Sequence, residues 1–250
     1  MNIPLIKPYI TKEIEEDVIN VLRSGYLTEG PVTREFENQL KNFLGVDYCL
    51  AVTSATTGLE VALRALKIGH GDEIIAPDYT YPATAAVGPI VGAKAIIVDV
   101  EKDTMNIDYD AIEAAITDKT KAIIPVSLFG ACSIGAEFNG VRVGSQADIT
   151  IFSLHPRKFI TTGEGGIITT QNKEWADWMN SYKHFGMDMG GNSREGIQFE
   201  IIGTNYKLSN VQSAIGLGQL KHIDKLLSRR IELANNYIEL LCSNKILVLH

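Results

Sequence analysis

The central part of the sequence, from residue 48 to residue 129, alternates short runs rich in Ile and Val with segments of helical periodicity. In order they are YCLAVTS, LEVALRALKI, DEIIAPDY, TAAVGPIV, AKAIIVDV, YDAIEAAI and KAIIPVSLF. The strand-like runs show little alternation of apolar and polar residues, which indicates burial on both faces. Strands that alternate with helices predict an α/β fold, a three-layer sandwich with a mostly parallel central sheet between helices.

The segments on either side extend this pattern without a clear domain boundary. After Phe129 a polar, loop-like stretch precedes two further strands, ADITIFS and GIITTQ, which we expect to pair like a hairpin around HPRKFITTGEGG. Apolar spacing and terminal glycines predict the remaining elements. These are helices over 11–24, 33–44, 208–220 and 223–241, and a strand over 123–128.

Composition argues against several classes of protein. The formal net charge of −7 is unlike that of a general nucleic-acid binder, which needs excess Lys and Arg. The start of the chain lacks the pattern of a secretory signal, and no stretch approaches the roughly 18 apolar residues of a membrane span. Three widely separated cysteines favour a reducing cytoplasm, and the five histidines show no metal-ligand spacing.

Lys158 is the first candidate for chemistry. It follows an apolar strand in SLHPRKFITTGEGG, between hydroxyl side chains and a glycine-rich turn, where an amine can be partly withdrawn from water. Desolvation favours the neutral, nucleophilic form of an amine. The alternative is a solvated surface lysine, which is the more common arrangement.

The stretch TSATTG, residues 53–58, lies between a predicted strand and a predicted helix. Its backbone N–H groups would point out of a helix N-terminus, which is a natural seat for a phosphate. Simple capping of the helix by Ser54 or Thr56 is the alternative. The stretch lacks the Gly-Lys-Ser/Thr ending of a P-loop.

Tyr81, in DYTYPAT, follows the next predicted strand. Ligands of open parallel sheets bind at the carboxyl edge of the strands, so this ring could stack on a planar cofactor. Burial of the ring in the core is the alternative.

Many short motifs follow one another almost from end to end. In order they are PLIKPYI, SGYLTEGPVTREFE, TSATTGLEVALRAL, GDEIIAPDYTYPATAAV, TDKTKAIIPVSLFG, GAEFNGVRVGS, ADITIFSLHPRK, TTGEGG, KHFGMD and GTNYKLSNVQSAIGLGQL. The series resembles the DegT/DnrJ family of pyridoxal-phosphate (PLP) sugar aminotransferases, which adopt the aspartate aminotransferase fold. The resemblance implies that residues 1–250 form the cofactor-binding large domain, with an N-terminal helical segment over about 1–45.

The resemblance also assigns residues to the cofactor. It implies that Lys158 holds PLP as a Schiff base and that Ser153, five residues earlier, binds the phosphate. Ala55 and Thr56 match positions that contact the phosphate from the helix N-terminus, although the family more often has Gly at position 55. Tyr81 matches the aromatic residue stacked on the pyridine ring. No metal is implied.

Asn205, in GTNYKLS, matches an asparagine that in the family reaches the phosphate of the neighbouring subunit. The resemblance therefore implies a homodimer with shared active sites. The family reaction moves an amino group from an amino-acid donor, usually glutamate, to the keto carbon of a nucleotide-linked deoxysugar. The products enter surface polysaccharides or glycosylated metabolites.

The chain departs from the family at one point. The family keeps the pyridine nitrogen protonated with an aspartate in a motif like EDAA, shortly before the segment matching SIGAEFNG. Here PVSLFG runs straight into ACSIGAEFNG, so about one helix and one strand, on the order of 25 residues, are missing after Gly130. Cys132 falls where the family has Gln or His, and Asp148 matches a different family position. We expect the neighbouring strands either to close the gap or to expose an edge.

Three explanations of the gap remain open: a deletion in this copy, a segment left out of this numbering, or a divergent member with altered chemistry. The chain also stops at His250, where the family continues into a smaller carboxyl-terminal domain, so we expect that domain to be absent or truncated. We expect the 250-residue chain to bind PLP poorly and to transaminate slowly or not at all. The alternative functions are a degenerate subunit that dimerises with an intact partner, and a PLP-dependent sugar dehydratase. Such dehydratases have His at the lysine position, so Lys158 argues against the second.

Overall fold

The computed structural model describes residues 6–128, 133–188 and 198–241, in which helices and strands alternate from β1 to β4. The helices are α1 (Lys12–Ser24), α2 (Pro31–Leu44), α3 (Ala55–Ala65), α4 (Ala83–Val91), α5 (Tyr109–Ala115), α6 (Lys173–Lys183), α7 (Asn210–Leu220) and α8 (Ile223–Leu241). The strands are β1 (Tyr48–Val52), β2 (Glu73–Pro77), β3 (Lys94–Val98), β4 (Thr120–Ile123), β5 (Glu137–Phe138), β6 (Val141–Arg142), β7 (Ile149–Ser153) and β8 (Gly166–Thr170).

The first half of the chain forms a parallel sheet in the order β3-β2-β4. Every residue of the central strand β2 is buried, whereas the two outer strands have exposed positions. Helix α4 packs on β2 and β3, and α3 packs on α4. This part confirms the prediction of parallel strands joined by helices.

The second sheet has the order β1-β8-β7, and β8 runs antiparallel to both neighbours. The predicted pairing of ADITIFS with GIITTQ is confirmed, because β7 and β8 form a regular ladder from Ile149–Thr170 to Ser153–Gly166. The segment that contains Lys158 joins these two strands. It therefore lies at the end of the ladder where Ser153 faces Gly166.

The prediction of a strand over 123–128 is wrong except at Ile123. The ladder of β4 with β2 ends there, followed by one backbone bond from Ile124 N–H to Ile75 C=O. Pro125 comes next, and a proline has no N–H with which to continue a ladder. Within the described ranges no ladder joins β4 to β7, the two strands that flank the gap after Gly130. In the described residues β4 and β7 are therefore both edge strands, and Ile123 of β4 is exposed, which agrees with the expectation of an exposed edge.

The region expected to be a loop after the gap contains one short hairpin, β5–β6. Asn139 and Gly140 connect its strands, and both have positive φ angles of 52° and 77°. An Asn-Gly pair with two positive φ angles is the preferred two-residue hairpin turn. The dipeptide in EFNGVR was therefore the signal for this hairpin.

The predicted helices near the two ends of the described chain are confirmed. The side chain of Thr11 caps α1, and glycines in the left-handed conformation, Gly25 and Gly45, end α1 and α2. Both helices pack on α7, and Phe36 and Leu40 of α2 enter the core beside β1, β7 and β8. Helix α8 buries only Ile223.

Candidate active site

The N-terminus of α3 is the candidate anion seat. Ser54 is the cap residue: its Oγ accepts from Thr57 N–H at 3.1 Å, and Ser54 N–H donates to Thr57 Oγ1 at 3.1 Å. The capping alternative is thus correct for Ser54 and wrong for Thr56. This reciprocal pair of bonds, a capping box, gives the N–H of Thr57 an acceptor. The N–H groups of Ala55 and Thr56 have no acceptor within the helix. Capping and anion binding are therefore compatible here.

Gly166 brings the start of β8 directly against this helix end. It pairs with Val52 on one side and with Ser153 on the other. A β-carbon at position 166 would lie 2.6 Å from the carbonyl carbon of Ser54 and 2.7 Å from the nitrogen of Ala55. Only glycine permits this approach, which places Ser153 next to the α3 N-terminus. The Oγ of Ser153 accepts from His155 N–H at 3.4 Å.

Lys158 lies in a turn beyond the end of β7. Its N–H donates to His155 C=O at 2.8 Å, and Thr162 N–H returns to Leu154 C=O at 3.1 Å, which closes the loop. The side chain of Lys158 is exposed. The alternative of a solvated surface lysine is therefore correct for the single chain, and partial withdrawal of the amine from water is not seen in it. The turn follows an edge strand that has no described neighbour on its outer side.

Tyr81 lies just after β2, at the carboxyl edge of the parallel sheet, as predicted. Its side chain is 78% exposed, so the alternative of burial in the core is wrong. The adjoining turn is held by a hydrogen bond of 3.0 Å between the hydroxyls of Thr80 and Thr84. The ring is accessible to a ligand at the edge where the sequence analysis expects one.

Asn205 is exposed and its backbone forms an isolated bridge with His184. The next two residues lie against the end of β1: Tyr206 C=O accepts from Thr53 N–H at 3.0 Å, and Lys207 bridges Val52. The segment that carries Asn205 thus follows β1 up to the residue before the α3 cap.

A buried ion cluster beside β1 was missed by the sequence analysis. Lys183 is fully buried, and its Nζ donates to Glu29 Oε2 at 3.1 Å, Glu37 Oε1 at 3.2 Å and Ala51 C=O at 3.1 Å. His184 Nε2 lies 3.0 Å from Glu29 Oε1. We call Glu29, Glu37, Lys183 and His184 the Lys183 cluster. The motifs TEGPVTREFE and KHFGMD contain all four residues, but charge alone did not mark them as buried.

The cluster changes the ionisation of its members. Burial opposes the charge on Lys183, but Glu37 and Glu29 outweigh this and raise its pKa. Burial likewise opposes ionisation of Glu29, but the hydrogen bond with His184 and the charge of Lys183 outweigh it and lower the pKa of this carboxyl. Lys183 and Glu29 are therefore charged at neutral pH.

A second network fixes Tyr206 to α3. Its hydroxyl donates to Glu60 Oε2 at 2.9 Å, and Arg64 Nε binds the other oxygen of Glu60 at 2.8 Å. Burial and the adjacent Glu60 raise the pKa of Tyr206 to about 12. The phenol is consequently a permanent donor at physiological pH.

The structure also limits other kinds of site. Within residues 6–128, 133–188 and 198–241, no group of three or more His, Cys, Asp and Glu side chains is placed to hold a metal ion. No helix in the same ranges is long and apolar enough to cross a membrane. Asp148 precedes β7, five residues before Ser153, so at about 3.3 Å per residue it lies roughly 16 Å along the strand from that serine. We therefore do not assign it the role of the aspartate that the resemblance expects.

A helix N-terminus that can accept an anion, a serine on the neighbouring strand and a lysine in the adjoining turn, on an α/β scaffold, are the features expected of an enzyme that holds a phosphate-bearing cofactor on a lysine. The model of the DegT/DnrJ/EryC1/StrS aminotransferase family matches residues 8–134 and 131–250. The chain belongs to this family. It is a PLP-dependent aminotransferase of the sugar aminotransferase type, with the aspartate-aminotransferase-like fold.

The comparisons include both curated relatives and solved structures. Uncharacterized protein MJ1066 of Methanocaldococcus jannaschii is 36% identical over 95% of this chain and 69% of its own length. The UDP-4-amino-4-deoxy-L-arabinose–oxoglutarate aminotransferase of Shewanella sediminis is 34% identical over 96% of this chain and 69% of its own length. The PLP form of the sugar aminotransferase Spr1654 from Streptococcus pneumoniae superposes with a TM-score of 0.89, at 31% identity, over 97% of this chain and 72% of that one.

One further solved structure with a similar fold is named as a dehydratase and not as an aminotransferase. A GDP-4-keto-6-deoxymannose-3-dehydratase superposes with a TM-score of 0.90 at 25% identity, over 98% of this chain and 74% of that one.

Two of these matches also give information on the segment that we expect to be missing after Gly130. The alignment with the Shewanella enzyme extends over 268 residues, although this chain has only 250. The relative therefore has residues within the aligned region that this chain lacks. The two matched blocks of the family model meet at residues 131–134, which is the place where the sequence analysis locates the gap.

Proposed function

We propose that this protein transfers an amino group from an amino acid, glutamate, to the keto group of a nucleotide-linked deoxysugar, for the synthesis of surface polysaccharides or other glycans. The observation that supports this proposal is the contact of Gly166 with the cap of α3, which brings the anion seat and Ser153 together five residues before Lys158. The curated name of the Shewanella relative supports a nucleotide sugar and a glutamate/oxoglutarate pair.

The residues fit PLP at its phosphate end. The N–H groups of Ala55 and Thr56 and the hydroxyl of Ser153 would bind the phosphate, and Tyr81 would cover the ring. When bound, PLP supplies an electron sink for the carbon that gains or loses the amino group. Lys158 would hold the cofactor covalently, release it to the donor amine, and then carry the proton to and from that carbon.

We further propose a homodimer with shared sites, in which Asn205 of one protomer reaches the phosphate bound by the other, and residues 1–250 as the cofactor-binding large domain. The exposure of both Lys158 and Asn205 in one chain supports this arrangement, because a second chain could cover them. We place the reaction in the cytoplasm, where buried free thiols such as that of Cys49 stay reduced.

The test is reduction with borohydride in the presence of PLP, followed by peptide mass spectrometry. We expect a pyridoxyl group on Lys158, and its loss in Lys158→Ala. Lys173→Ala is the matched control, because Lys173 is also exposed and lies on α6, remote in sequence from the turn. Labelling of other lysines with Lys158 unmodified would refute the assignment. Formation of 2-oxoglutarate from glutamate with a keto-sugar nucleotide would then establish the reaction.

A second candidate is a degenerate subunit that binds an intact partner. The divided sheet favours it, because the strand between β4 and β7 would carry the aspartate for the pyridine nitrogen. A chain that is labelled on Lys158 but forms no 2-oxoglutarate would support this candidate. The dehydratase alternative is disfavoured by Lys158, despite the similar fold of one such enzyme.

A further inference from the structure

The Lys183 cluster lies at the open edge of the antiparallel sheet. In the order β1-β8-β7, strand β1 has β8 on one side only. Near its end, Ala51 N–H donates to Glu37 Oε1 at 2.7 Å and Ala51 C=O accepts from Lys183 Nζ at 3.1 Å. Two side chains thus form the bonds that a neighbouring strand would otherwise make with this residue.

The next two residues of the chain continue this edge. Val52 bridges Lys207, and Thr53 N–H donates to Tyr206 C=O. Ser54 follows immediately as the cap of α3. Ala51 and Thr53 are therefore both held on the open side of β1, with Val52 opposite Lys207 between them, and Ala51 is the one held by charged groups.

The cluster also holds the segment that continues this edge. Tyr206 N–H donates to Lys183 C=O at 3.2 Å, and the backbone of Asn205 bridges His184. Lys183 consequently contacts β1 through its side chain and the 205–207 segment through its backbone. A displacement of Lys183 would move both partners of the Thr53 hydrogen bond.

The charged amine of Lys183 makes hydrogen bonds that an apolar side chain at this position could not make. Removing a buried ion from water is costly, and an apolar residue of similar volume often gives equal stability. An apolar side chain at position 183 could fill the space, but it could not donate to Ala51 C=O and to two carboxylates at once. The cluster therefore specifies where β1 ends, in addition to contributing to packing.

We propose that Lys183 is a positioning residue for the phosphate seat: through Ala51 and the 205–207 segment it sets the place of the α3 N-terminus, and so the affinity for the phosphate of the cofactor. The inference rests on the proposed cofactor site. Lys183 itself does not contact the ligand, because its three side-chain donors are already used within the cluster.

The test compares PLP with pyridoxal, which lacks the phosphate. Dissociation constants for both are measured by equilibrium dialysis in the unmodified chain, Lys183→Met, Glu29→Gln and Lys221→Met. Lys221 is the matched control, since its Nζ also binds two carboxylates, those of Glu13 and Asp17, but at the surface between α1 and α7. The ratio of the two constants reports on the phosphate seat alone.

We expect the unmodified chain to prefer PLP, and Lys183→Met to reduce this preference on the order of tenfold, the effect of one displaced hydrogen bond to an anion. Glu29→Gln should reduce it in the same direction and Lys221→Met should leave it unchanged. If Lys183→Met does not fold, the ratio measured for Glu29→Gln tests the inference, because a glutamine retains the shape of the glutamate and an acceptor oxygen. An unchanged ratio in folded Lys183→Met or Glu29→Gln overturns the inference. Equal affinities for PLP and pyridoxal in the unmodified chain would instead refute the proposed function.

Discussion

Gly166 and Ser54 are in direct contact across the junction of β8 and α3: a β-carbon on Gly166 would fall 2.6 Å from both the carbonyl carbon and the carbonyl oxygen of Ser54. The neighbour is backbone, so it cannot rotate away as a side chain would. The distance between strand and helix is thereby limited to what a glycine permits. Ser153, opposite Gly166, owes its place beside the anion seat to this contact.

We therefore expect Gly166→Ala to destabilise the protein by about 1–3 kcal/mol, the usual cost of overpacking, and to weaken PLP binding. Urea unfolding and equilibrium dialysis measure the two effects. Gly69→Ala is the matched control, because its new β-carbon would meet Val91 C=O at 3.5 Å, which is an ordinary contact. Equal stability of the two variants would contradict the close approach.

Ser54 and Thr56 are expected to have different effects, because only one of them caps α3. Ser54→Ala removes the acceptor for Thr57 N–H and should cost about 1 kcal/mol in the free energy of unfolding without any ligand. Thr56→Ala leaves the cap intact and should change stability by less than about 0.5 kcal/mol. Urea unfolding checks both values, and a larger loss for Thr56→Ala than for Ser54→Ala would mean that the cap is wrongly assigned.

The ionisation of Glu29 should make the free energy of unfolding depend on pH in the acidic range. Although burial opposes its ionisation, the hydrogen bond with His184 and the charge of Lys183 hold its pKa below the ordinary value of 4.5. The unfolded chain therefore takes up this proton first, and the stability due to the carboxylate is present above about pH 4.5 and is lost as pH falls through the lower folded pKa.

The measurement is the free energy of unfolding between about pH 6 and about pH 3.5. Glu29→Gln should lose less stability over this interval than the unmodified chain. Glu16→Gln is the control, since Glu16 pairs with Arg23 on the surface and exposed pairs contribute little. The role of Glu29 would be excluded by parallel pH curves for Glu29→Gln and the unmodified chain.

Local patterns were sufficient for most of the fold. Gly25 and Gly45 marked two helix ends correctly, and the Ile- and Val-rich runs predicted the strands. The extension of β4 beyond Ile123 failed because the run of apolar residues was given more weight than Pro125, which removes a donor. The separation of the described strands into two sheets was not predictable from local patterns, and only the resemblance to the family led us to expect an exposed edge after β4.

The parts of the candidate site that lie within one short motif were predictable from the sequence. The cap at Ser54 and the hydroxyl at Ser153 belong to short motifs, and the structure brings them together. The Lys183 cluster was not predictable, because its contacts join residues more than 130 positions apart and a lysine is exposed in most settings. The exposure of Lys158 agrees with the general tendency of lysines, which the sequence analysis gave as the more common arrangement.

Lys158 and Asn205 offer a test of shared sites that needs no sugar substrate. Each site of the proposed dimer takes Lys158 from one chain and Asn205 from the other. Lys158→Ala cannot be labelled by borohydride and PLP, and Asn205→Ala should be labelled weakly at limiting PLP. In a mixed dimer of the two variants, the intact Lys158 and the intact Asn205 fall in the same site.

After an equimolar mixture is unfolded and refolded together, about half of the Asn205→Ala chains should lie in mixed dimers, as random pairing in a twofold assembly requires. Their labelling at Lys158 should therefore rise towards half of the unmodified level. Asn205→Ala mixed with the double variant Lys158→Ala/Asn205→Ala is the control, because no pairing there restores a site. Rescue in the test mixture alone requires Asn205 to act across the dimer. Absence of rescue would mean that Asn205 acts within its own chain, where its segment already borders the residue before the α3 cap.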